Sequence, residues 1–111
     1  MTLDELITKI QIRPGSFLGD DIDIKSLYHF INGFLCFKQM FNLLSDSENH
    51  FNELFRKFII NDLSNSEHIN RISSFKTWYE MIQYIATSNK DSLKLFFIFY
   101  DKFTHKIKDV D

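Results

Sequence analysis

At 111 residues the chain has room for one domain and not for two. Its formal net charge of −2 excludes the basic footprint of a nucleic-acid binder. With 44% hydrophobic residues and 13 Phe it is too apolar to stay disordered, and three Gly and one Pro are too few for the many turns of an all-β domain. The single cysteine, Cys36, excludes an intrachain disulfide and a cysteine-based zinc site, and is expected as a small buried residue. The first ten residues, MTLDELITKI, lack the basic start and apolar run of a signal peptide. No window approaches the roughly 18 consecutive apolar residues of a membrane span, so a cytoplasmic protein is expected.

Along the chain, Thr2-Leu3-Asp4-Glu5 has the spacing of a capping box, with Leu3, Leu6, Ile7 and Ile10 on one face of a short first helix. That helix is expected to end before Pro14, because the residue preceding a proline avoids helical angles. Arg13–Gly19 holds the only proline and two of the three glycines and reads as a loop. In it Pro14 and Gly15 turn the chain, and Phe17 and Leu18 plug the core. Asp23 caps a long second helix over 24–44, in which Ile24, Leu27, Tyr28, Ile31, Phe34, Leu35 and Met40 or Phe41 keep helical rhythm and Phe37 widens the apolar face. Gly33 inside it costs about 1 kcal/mol against alanine and is expected where another helix packs closely.

Ser45-Asp46-Ser47-Glu48 is a second capping box, opening a third helix with Phe51, Leu54, Phe55, Phe58 and Ile59 that stops near Asn61. Residues 61–73 are polar and predict one irregular turn around Ile69 and Ile72. Ser73 or Ser74 is expected to cap a fourth helix carrying Phe75, Trp78, Tyr79, Ile82 and Ile85. A fifth, from about Lys90 to Lys106, turns Leu93, Phe96, Phe97, Tyr100, Phe103 and Ile107 inward. There is no repeat and no heptad run. The expected fold is therefore all-α: a compact bundle of about five amphipathic helices in one domain, residues 1–111.

Nothing in the sequence assembles a catalytic site. The four histidines include no i, i+4 pair, and helix geometry alone brings His50 and Glu53 together. The serines cluster at helix starts, where capping explains them, and there is neither a G-x-S-x-G elbow nor a phosphate loop. Asp20, Asp21 and Asp23 lack the remaining ligands of a calcium loop. No enzyme, metal or cofactor is expected, and no nucleic-acid, membrane or small-molecule partner. Charge is uneven: residues 1–50 carry seven acids and four bases (−3), residues 51–111 eight acids and nine bases (+1).

Pieces of this chain resemble two families. R-P-G-S-F-L-G at Arg13–Gly19 is similar to a segment of the ATP-binding domain of type II topoisomerases, but the length and glycine-rich motifs of that domain are missing. The wider arrangement resembles small helical immunity proteins of bacterial polymorphic toxin systems, including contact-dependent growth inhibition. Those begin with a short helix and an R-P-G-x-[YF]-[LI]-G loop, continue with a helix reading S-L-x-x-[LF]-I-x-G-[YF], and place a [ST]-W segment before a final aromatic-rich helix. Here these pieces are Arg13–Gly19, Ser26–Phe34, Thr77-Trp78 and Leu93–Phe103, and Ser16 stands where methionine is common.

The resemblance implies a cytoplasmic inhibitor of one cognate toxin, through its C-terminal nuclease domain, an RNase by preference. It carries over no binding residues. Nuclease surfaces are basic, so the local acidity nominates Asp20, Asp21, Asp23, Asp46 and Glu48 as toxin-binding. The rival reading is a helical adaptor or regulator acting by dimerisation, which an exposed aromatic face would distinguish.

Overall fold

The computed structural model describes residues 1–20 and 22–110, with the side chains of 89 and 107–110 excepted. The protein is all-helical. Eight helices and no strand occur among the described residues. They fall into two compact units, Met1–His50 and Phe51–Asp111.

In the first unit, α1 (Leu3–Ile12) starts where the Thr2 hydroxyl accepts from the Glu5 N–H at 3.1 Å, and it buries Leu3, Leu6, Ile7 and Ile10. The R-P-G segment is not a loop. It forms α2 (Pro14–Leu18), because a proline at the first helical position loses no hydrogen bond and already holds a helical φ. Gly19 then ends it at φ 73°, a left-handed angle that costs glycine nothing. Phe17 and Leu18 are half-buried rather than core plugs, and the Phe17 ring meets Phe30 edge-on at 5.9 Å. Both α1 and α2 pack on α3 (Ile24–Met40), which Asp23 caps as expected.

Helix α3 stops four residues short of expectation. Asn42 takes a positive φ of 54°, its N–H donates to the Gln39 carbonyl, and the Leu43 N–H reaches back to the Lys38 carbonyl at 2.8 Å. That pair of bonds is a Schellman stop, which satisfies carbonyls the helix would otherwise leave open. The Ser45–Glu48 capping box forms in full, but it opens only the single turn α4 (Asp46–Asn49). At His50 the backbone leaves helical angles (φ −111°, ψ 13°), and the second unit begins at Phe51.

Gly33 is exposed, and a Cβ placed on it meets nothing within 4 Å. Among the described residues no helix packs closely against it, contrary to expectation. Gly33→Ala should therefore raise stability by about 0.5–1 kcal/mol through helix propensity alone. Urea unfolding in dilute solution measures this, and a loss of stability would show that the space is filled.

In the second unit, α5 (Phe51–Asp62) packs on α7 (Trp78–Ile85) and α8 (Asn89–Val110), with α6 (Ile69–Ser73) against α5 and α7. The core is aromatic. Phe55 lies 5.4 Å from Trp78, 5.5 Å from Phe96 and 5.4 Å from Phe103, all edge-on, and stacks on Phe51 at 5.3 Å. Edge-to-face packing of this kind adds to the burial term. The polar stretch 61–73 ends in the short helix α6. Ser73 and Ser74 close that helix, donating to the Asn70 and Arg71 carbonyls, instead of opening the next one. Arg56 holds the connection by donating to the Ser73 and Phe75 carbonyls at 3.0 and 2.9 Å. The cap of α7 is Thr77, whose hydroxyl accepts from the Glu80 N–H and donates to its carboxylate. Ile107, expected to face inward, lies outside the described side chains.

Candidate functional site

The five acidic candidates fall on two segments of the first unit. Asp20 and Asp23 lie on the connection between α2 and α3, and Asp46 and Glu48 on α4. Asp21 lies outside the described residues. Asp20 and Asp46 are exposed. Asp23 is half-buried and its carboxylate accepts from the Ser26 N–H at 2.6 Å, which lowers its pKa against the opposing effect of burial.

Glu48 is buried, and its carboxylate is taken up inside the fold. It accepts from Lys38 Nζ at 2.7 and 2.8 Å, from the Leu3 N–H at 2.8 Å and from the Ser45 N–H at 3.0 Å. Lys38 also donates to the Met1 carbonyl at 3.2 Å. Burial by itself pushes the Glu48 carboxyl up, but the hydrogen bonds from Lys38, Ser45 and Leu3 outweigh it and hold the pKa at about 2. This carboxylate is the anion at the start of α1, where unpaired N–H groups and the helix dipole favour negative charge. Presenting it to a partner would strip Lys38 and Leu3 of their acceptor.

The largest uncovered apolar surface of the first unit was not anticipated. Phe37, Met40, Phe41 and Leu43 are 57, 74, 57 and 59% exposed. The buried stripe of α3 runs through Ile24, Leu27, Ile31, Leu35 and Lys38. A second stripe, Phe30, Phe34, Phe37 and Phe41, follows it at spacings of four, three and four, the seam spacing of helix pairs. Phe17 covers Phe30, and the Lys38 ammonium sits 5.5 Å above the Phe34 ring. The far end stays bare, with Phe37 and Phe41 4.9 Å apart. Cys36, expected inside, is exposed beside it, because it lies about 100° around the helix from the buried Leu35. The signal was the spacing of the phenylalanines, masked because a phenylalanine in a helix is more often core.

No group of three or more His, Cys, Asp or Glu is arranged to hold a metal among the described residues. No helix there is long and apolar enough to cross a membrane. The arrangement offers charge and apolar area for contact with another macromolecule. Comparison with protein-family models, with curated proteins and with solved structures finds no match.

Proposed function

We propose that this chain is the immunity partner of a toxin: a cytoplasmic, non-enzymatic protein that binds and neutralises the C-terminal nuclease domain of a contact-dependent growth inhibition toxin, an RNase by preference. The motif resemblance supports the role. The observation that carries the mode of binding is the surface charge of the first unit. Residues 1–50 sum to −3, and the Lys38–Glu48 pair withdraws one charge of each sign, which leaves that balance unchanged. Asp20 and Asp46 are exposed carriers of it. A nuclease must hold a polyanion, so its substrate surface is basic, and carboxylates placed against it steer association and exclude the substrate.

The test uses the toxin encoded beside this chain. Binding should be nanomolar or tighter, since a few active toxin molecules suffice to kill. Reversing Asp20 and Asp46 together to Lys should slow association about tenfold or more at low salt, with dissociation little changed if both sit at the rim. Glu48 is left out of this series, because its loss would act through stability. Unchanged association would remove the acidic mechanism. Failure of the whole chain to bind that toxin, or to protect cells challenged with it, would remove the function.

A further inference from the structure

The bare end of α3 is a surface of a different kind from the acidic one. We infer that it is where two copies of this chain meet, through an antiparallel pairing of their α3 helices about a two-fold axis at Phe37. The inference is independent of the toxin reading.

Three observations point to a second copy as the occupant. The first is shape. Gly33, Phe37 and Met40 stand at i, i+4 and i+7, so they share one face of α3. An axis at Phe37 sets that ring against its own counterpart and sets Phe41 against Gly33 of the second copy. Gly33 has open space where a Cβ would stand, so a large ring can settle onto bare backbone. A mid-helix glycine that no packing among the described residues requires acquires a use in this way.

The second is charge. Gly33, Cys36, Phe37, Met40, Phe41 and Leu43 carry none. A face without charge is not repelled by its own image and gains nothing from a basic or an acidic partner.

The third is area. At about 200 Å² for a whole large apolar side chain, the exposed parts of Phe37, Met40, Phe41 and Leu43 come to roughly 500 Å². Two copies then bury about 1,000 Å² between them, the floor for a specific interface. An isologous contact uses the same patch twice and closes on itself, giving a dimer and no larger assembly.

Sedimentation of the full chain from low micromolar to millimolar concentration tests this. A reversible monomer–dimer equilibrium with a micromolar constant is expected. Phe37→Asp is felt on both sides of the axis and should raise that constant on the order of a hundredfold or more. Gly33→Leu should also disrupt the dimer, while the monomer stays as stable as the native chain or becomes more so, a combination that unfolding cannot produce. Ile98→Asp, at an exposed apolar residue of the second unit, should leave the equilibrium unchanged. A chain that stays monomeric throughout, or a dimer indifferent to both Phe37→Asp and Gly33→Leu, overturns the inference. So does a monomer in which Phe37→Asp abolishes toxin binding, since the toxin would then own the face. That last result would leave the proposed function standing.

Discussion

Trp78→Ala is expected to lower the unfolding free energy by about 3–5 kcal/mol, the usual range for a large buried aromatic. Trp78 is 1% exposed. Its ring lies 5.1 Å from Phe96, 5.4 Å from Phe55 and 6.4 Å from Phe51, so truncation opens a cavity bounded by three rings. Aromatic rings collapse poorly into such a space because each is held by its other neighbours, and the residual void adds to the lost transfer energy. The indole Nε1 also donates to Asn52 Oδ1 at 2.8 Å, a bond that alanine cannot replace. Trp78→Phe separates the two contributions. It keeps most of the ring contact, loses the bond to Asn52, and should cost about 1–2 kcal/mol. Urea titration followed by far-ultraviolet circular dichroism measures both, since the sole tryptophan is lost as a fluorophore. A Trp78→Ala cost under about 1 kcal/mol would place the ring at the surface.

Glu48→Gln is expected to cost about 3 kcal/mol near pH 7 and almost nothing near pH 2. The Glu48 carboxyl, ordinarily titrating at 4.5, is held at about 2 in the folded protein. A carboxyl whose folded pKa lies below its unfolded one contributes stability that is complete above the unfolded value. That contribution drains away as pH falls through the folded value. The native chain should therefore lose the contribution between about pH 5 and pH 2, whereas a glutamine side chain in its place has no charge to lose across that window. At neutral pH the variant also leaves the buried Lys38 ammonium without its counter-charge, the costly way to break an interior ion pair. Unfolding titrations of both proteins at a series of pH values give the two curves. A gap that keeps the same height from neutral pH to pH 2 would show that the carboxylate is not ionised against Lys38.

The elements legible in the sequence were those set by local chemistry. Thr2, Asp23 and Ser45 each cap the helix that follows, because a hydroxyl or carboxylate two or three residues ahead of an orphan N–H needs no tertiary partner. Trp78, Phe55 and Phe96 are buried because large rings repeat at helical spacing on helices that face one another. The misread burial of Cys36, Phe37 and Lys38 depended on which of two adjacent stripes becomes covered. Helix α3 carries two apolar stripes, and periodicity does not rank them. The one with a lysine at its end went inside, and Glu48 pairs that lysine there. Hence Cys36 and Phe37 came out, Lys38 went in, and Glu48 changed from a surface acid into an internal anchor. The R-P-G segment was misread for another reason: proline breaks a helix in its middle and starts one at its edge, and composition alone does not say which.

The anchor at Glu48 also bears on the order in which the first unit comes together. The bond from the Leu3 N–H to its carboxylate spans 45 positions of the chain. Closing so long a loop costs entropy before the contact returns anything, whereas the turns of α1 and α3 form from neighbours in sequence. Such a clasp is expected to close after the folding barrier, so its removal should accelerate unfolding and leave the folding rate nearly alone. The long-range bond from Leu3 to that carboxylate should thus bear on how long the native unit persists more than on how quickly it is reached.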